Sequence, residues 1–156
     1  MNLRVIFLLL ALLAGSFAAR ADEAAATPDP ARDADRRQLL AIMSEIEQGI
    51  NSADIERMVK HIDETGIVTW LNAEVSQGPE GVRQYFRRMV GTGPETILSK
   101  YVTHPKLDGH ARFYGDVAVA NGTTVDEFTP HRRSVFKFDS RWTGTLVKRD
   151  GVELTG

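Results

Sequence analysis

Between Ser134 and Lys148 apolar and polar positions alternate. Phe136, Phe138, Trp142 and Leu146 fall on one side of an extended backbone, and Lys137, Asp139, Arg141, Thr143 and Thr145 fall on the other. The alternation predicts one long strand with an aromatic face that has to be covered. Upstream, Leu39, Ile42, Met43, Ile46 and Ile50 recur at helical spacing from about Asp35, which predicts an amphipathic helix. Asn51-Ser52-Ala53-Asp54 interrupts that stripe and offers Ser52 as the cap of a second, shorter helix carrying Ile55, Met58, Val59 and Ile62. Gly66 is expected to close this region with a positive φ. A third helix, opened by Gly78-Pro79 and stopped by Gly91, Gly93 and Pro94, has Val82, Tyr85, Phe86, Met89 and Val90 as its stripe. These helices are the long covers on offer for the strand.

The remaining apolar stretches read as extended: Ile67 to Leu71, Glu74 to Gln77, Thr96 to Leu107, and Phe113 to Phe128 with a break at Gly115-Asp116. Helices come early and a meander of strands comes late. That order predicts an α+β fold in which a curved antiparallel sheet wraps around three N-terminal helices, with a pocket between the layers. Asp150-Gly151 is a hairpin signal, and only Val152 to Gly156 follow it. The expectation is either a truncated last strand or an unusually open sheet edge, and with the latter either self-association or poor solubility.

At 156 residues, with 42% hydrophobic and 26% charged residues, the chain has the composition of one globular domain. Its first residues stand apart. Arg4 precedes the apolar run Val5 to Ala14, and Ala19-Arg20-Ala21 follows, the pattern of a signal peptide cleaved after Ala21. The run is short of the roughly 20 residues that span a bilayer. Export to the periplasm or the extracellular space is expected, with no membrane partner after cleavage. Residues 22–34, rich in alanine, proline and acids, read as a flexible linker, and 35–156 as the domain. The net charge is −2, and the leader contains Arg4 and Arg20 but no acid, so the mature chain is more acidic still. That balance argues against nucleic acid as a partner, and leaves Arg87-Arg88 and Arg132-Arg133 as solvated edges. With no cysteine, disulfides, thiol catalysis and thiolate metal sites are excluded.

Asp126 is the leading acid–base candidate, because it follows a run of apolar and small residues and shares a strand face with Gly122, Thr124 and Phe128. Its plainer alternative is a strand-end carboxylate in water. His104 and Tyr101 are the other candidates for proton transfer. His104, His110 and His131 match no compact ligand spacing, so no metal is expected. Trp70, Tyr85, Phe86, Phe138 and Trp142 are candidate walls for a flat apolar ligand, or simply core. Arg112, beside Phe113, is a candidate polar group at the pocket mouth, and Arg141 pairs either there or with Asp139. There is no G-x-S-x-G elbow, and Gly91-Thr92-Gly93 is a helix stop rather than a phosphate cradle, so no cofactor is expected.

The element order resembles the nuclear transport factor 2-like superfamily. So do four phrases: Asn51-Ser52-Ala53-Asp54, Val68-Thr69-Trp70, Gly78 with Gly81-Val82-Arg83, and Arg141-Trp142-Thr143 through Asp150-Gly151. The likeness is to its exported SnoaL-like and ketosteroid-isomerase-like members and runs from about Asp35 to Gly151. It implies a cone-shaped α+β barrel, a ligand cavity between sheet and helices, and a homodimer. The steroid-isomerase tyrosine and aspartate would fall near Ile46 and Trp70, which do no acid–base chemistry. The expected function is therefore an exported domain binding a small apolar molecule in an aromatic pocket. The alternative is an acid–base enzyme of the isomerase, cyclase or dehydratase kind, and a purely structural dimer module is the third class.

Overall fold

The computed structural model describes residues 29–149 and 153–155, so the expected leader, most of the expected linker and the Asp150-Gly151 turn lie outside the described residues. A short turn over Pro30–Arg32 leads into α1 (Asp33–Asn51), which starts ahead of the Asp35 that the periodicity set. α2 (Ile55–Val59) follows, then a small hairpin of β1 (Ile67–Thr69) and β2 (Val75–Gln77), then α3 (Gly78–Met89). The sheet comprises β3 (Leu98–Leu107), β4 (Arg112–Tyr114), β5 (Val117–Pro130), β6 (Phe136–Arg149) and β7 (Glu153–Thr155). All pairings in it are antiparallel; β5 lies between β3 and β6, β4 continues the β3 side of β5, and β7 pairs the far end of β6. This is the expected α+β cone.

Two local expectations are corrected. Ser52 does not cap α2; its hydroxyl donates back to the Gln48 carbonyl at 2.6 Å, closing α1 instead. Gly66 does not have a positive φ, whereas Gly78 does, at +60°. A Cβ on Gly78 would come within 2.8 Å of the Glu64 carbonyl oxygen, and the Gly78 amide donates to the Gly66 carbonyl at 2.8 Å, so the turn into α3 needs its glycine at 78.

The core forms two clusters joined by Ile46 of α1. In the first, Leu39 and Ile42 sit on Ala111, Ala118, Ala120 and Leu146, with Trp142 and Phe113 at the margin. The small residues of β5 let α1 lie close to the sheet. In the second, Ile50 meets Met58 and Val59 of α2 and Val82 and Phe86 of α3, with Trp70 and Tyr101 packed against them. The buried carboxylate of Asp35 pins the start of α1 to β6. It accepts from Lys148 Nζ at 3.1 Å and from Arg32 Nη1 at 3.0 Å.

The aromatic face of β6 is covered over only part of its length. Trp142 and Leu146 lie under α1, but Phe136 and Phe138 are 50% and 51% exposed. The reason is length. A strand of 14 residues runs roughly 46 Å at ~3.3 Å per residue, and a helix of 19 residues runs roughly 28 Å at ~1.5 Å per residue. The sheet outruns its longest cover, and α1 ends over β3, where Asn51 binds Thr103, so Phe136 and Phe138 on β6 stay open.

Candidate functional site

Beside the exposed Phe136 and Phe138, the inner face of the sheet has a buried polar centre and aromatic sides. The pairings Tyr101↔Phe128, Thr103↔Asp126, Asp126↔Phe138, Phe128↔Phe136 and Thr124↔Ser140 place all of these side chains on one face of β3, β5 and β6. Asp126 lies at the middle and is 1% exposed. Tyr101 Oη donates to its Oδ1 at 2.9 Å and Ser140 Oγ donates to its Oδ2 at 3.0 Å. Thr124 Oγ1 donates to Oδ1 over a longer 3.4 Å and lies 2.9 Å from Thr103 Oγ1.

The end of α1 holds this cluster in register. Asn51 Oδ1 accepts from the Thr103 amide at 2.7 Å, and Asn51 Nδ2 donates to the Thr103 carbonyl at 3.0 Å. One side chain thus supplies the ladder partner that an edge strand lacks.

A hydroxyl has one hydrogen and two lone pairs. Tyr101 and Ser140 each direct that hydrogen at Asp126, so what they offer to anything lying above is lone pairs. Burial, and next the charge of Asp126, push the Tyr101 phenol well above its ordinary value. It stays protonated across the working range and is a fixed donor to Asp126, not a base.

The rings form two stacks. Tyr101 stacks on Phe128 with centroids 4.8 Å apart, and Phe128 continues to Phe136 at 5.3 Å. On the helix side Trp70 lies on Tyr85 at 4.1 Å and 5° between planes, its Nε1 donating to Ser76 Oγ at 2.8 Å. The Arg88 guanidinium is 5.6 Å from the Tyr85 ring. Burial raises the Tyr85 phenol as well, and Trp70 and Tyr101 pack against the same core cluster around Phe86.

Of the acid–base candidates, Asp126 and Tyr101 meet and His104 does not join them. The buried Asp126 is not the solvated strand-end carboxylate of the plainer alternative. His104 pairs across with Val125, on the opposite face of the sheet, and its Nδ1 lies 3.1 Å from Glu47 Oε1 in an exposed position. Among the ligand candidates, Phe138 shares the Asp126 face, and Trp70, stacked on Tyr85, packs with Tyr101 against the second core cluster. Phe86 is core at 4% exposure. Trp142 belongs to the α1 cluster further along β6, its Nε1 donating to the Thr123 carbonyl at 3.1 Å. Arg112 pairs with Val119 on the outer face at the other end of β5, so it serves no pocket mouth shared with Asp126. Arg141 pairs with Asp108 at 2.5 Å rather than with Asp139.

Ser140, Thr103 and Asn51 were not assigned to the site from the sequence. For Ser140 a signal existed: it is the one small polar residue on the aromatic face of its strand between Phe138 and Trp142. Among the described residues no group of three histidine or acidic side chains is placed to hold a metal ion. A shallow hollow of about 360 Å³ is lined by His104, Lys106, Val125, Asp139 and Arg141 together with Thr123, Thr124 and Ser140, the last two of which also belong to this site.

No family model matches the chain, and no characterised protein matches it in sequence. Solved structures do match in fold. One is the hexachlorocyclohexane dehydrochlorinase LinA-type3 of Novosphingobium barchaimii, at TM-score 0.68 and 16% identity, covering 80% of this chain and 84% of that one. A scytalone dehydratase-like protein of Novosphingobium aromaticivorans gives 0.63 and 13%, covering 78% and 80%. A ketosteroid isomerase-like protein of Erwinia carotovora atroseptica gives 0.62 and 14%, covering 79% and 91%. All three are nuclear transport factor 2-like proteins, and at these identities what they share with this chain is the fold.

Proposed function

We propose that this protein, a cone of the nuclear transport factor 2-like fold, binds a small cyclic, largely apolar molecule at the open concave end of its sheet. The observation that carries the reading is the exposure of Phe136 and Phe138 on the same face as the buried Asp126 cluster. Large rings half open to water beside a satisfied polar group give a guest both contact area and one point of orientation. The site works as a binding platform first, because both oxygens of Asp126 are already engaged by hydroxyls. In this reading the protein is exported, cleaved after Ala21, and acts as a homodimer in the periplasm or outside the cell.

Thermal-shift titration with neutral flat compounds such as naphthylmethanol tests the reading. Saturable stabilisation that weakens in Phe138→Ser supports it. No stabilisation by any cyclic compound overturns it. The mass of the exported protein and its light scattering test cleavage and dimerisation separately.

The second reading is an acid–base enzyme of the isomerase, cyclase or dehydratase kind, with Asp126 as the proton acceptor. It is favoured by the burial of that carboxylate against a neutral phenol. Turnover of a bound cyclic substrate with a pH–rate profile abolished by Asp126→Asn establishes it, and binding without turnover excludes it.

A further inference from the structure

We infer that the guest carries a protonated amine, which makes the ligand class a cyclic or aryl-substituted ammonium. The inference rests on the binding reading above and specifies its ligand. The carboxylate of Asp126 is 1% exposed, yet among the described residues it forms no ion pair, and the partners that fix it are the hydroxyls of Tyr101, Thr124 and Ser140. Asp35, the other buried carboxylate among the described residues, has two cations, Arg32 and Lys148. A buried charge without a counter-charge is costly, and a cation brought to it recovers that cost.

The surroundings fit a cation in two further ways. The hydroxyls of Tyr101 and Ser140 point their hydrogens at Asp126, so the floor accepts hydrogen bonds and has none to give. An ammonium is a pure donor. The half-exposed rings of Phe136, at the open end of the Tyr101–Phe128 stack, and Phe138 border it, and aromatic faces attract cations through their quadrupole. A neutral alcohol of the same shape gains the rings but neither the charge nor the full donor set.

Matched pairs make the test: indan-2-amine against indan-2-ol, and naphthylmethylamine against naphthylmethanol, titrated into the full chain by calorimetry at neutral pH. The amines are expected to bind about tenfold tighter than their alcohols, and Asp126→Asn is expected to bring the ratio to about one. If Asp126→Asn does not fold, Ser140→Ala, which leaves Asp126 Oδ2 without its donor, is expected to raise the ratio. Alcohols binding as tightly as amines overturn the inference and leave the binding reading standing. Failure of both members of both pairs overturns the two together. A ratio unmoved in every folded variant also overturns the assignment to Asp126.

Discussion

Tyr101 Oη lies 2.9 Å from Asp126 Oδ1, a contact between the edge strand β3 and the central strand β5 that ties the concave end of the cone together. It joins the most buried carboxylate of the sheet to a phenol that burial keeps neutral. Removing the donor leaves part of that charge unsatisfied in a dry place. Tyr101→Phe is therefore expected to lose about 1–3 kcal/mol in urea unfolding. A loss within error would mean that water reaches Asp126 in the folded protein.

Asn51 binds both backbone groups of Thr103, and no smaller side chain reaches them. Asn51→Ala is expected to cost about 1–3 kcal/mol and to speed hydrogen exchange at the Thr103 amide, while amides in the middle of β5 keep their protection. Uniform loss of protection across the sheet would argue against a local clamp.

Gly122 faces Trp142 across the β5–β6 ladder. A Cβ there would run into the Lys106 carbonyl oxygen and lie 2.7 Å from the Trp142 ring. Gly122→Ala is expected to destabilise by about 1–3 kcal/mol and to alter the tryptophan emission, since the indole is displaced from its place against the strand. An unchanged spectrum with native stability contradicts this packing.

Acid is expected to loosen the helices in a defined window. Glu45 is held down to about 2, first by its hydrogen bond from Arg57 and then by Lys60, and Asp35 is lowered first by Arg32 and then by Lys148. Both carboxyls titrate lower folded than unfolded, so their contribution is present above the unfolded values and is lost as pH falls through the folded ones. For Glu45 that window runs from 4.5 down to about 2. Unfolding free energy measured against pH is expected to fall there, with a shallower slope in Glu45→Gln and in high salt, which screens the exposed pair. An identical slope in the variant would remove Glu45 from the account.

Phe138 separates binding from folding. Half exposed, it adds little to the core, so Phe138→Ser is expected to change stability by no more than about 0.5 kcal/mol. The same change is expected to weaken naphthylmethanol several-fold. A variant that unfolds instead would show that the ring is covered in solution, by a second copy of the chain.

Periodicity alone determined the three helices, the strands, and which residues share each face, because those features depend on neighbours two to four positions apart. It placed Phe138 with Trp142 and Asp126 with Phe128 correctly. Tertiary structure decided which part of the aromatic face is roofed, since that depends on how far α1 reaches along strands longer than itself. It also decided the environment of Asp126. Its partners Tyr101 and Ser140 sit on two other strands, 25 residues before it and 14 after it, and no local pattern announces that three hydroxyls converge there while no cation does. Local spacing sets the direction of a side chain, but its solvation depends on residues remote in sequence that the fold brings against it.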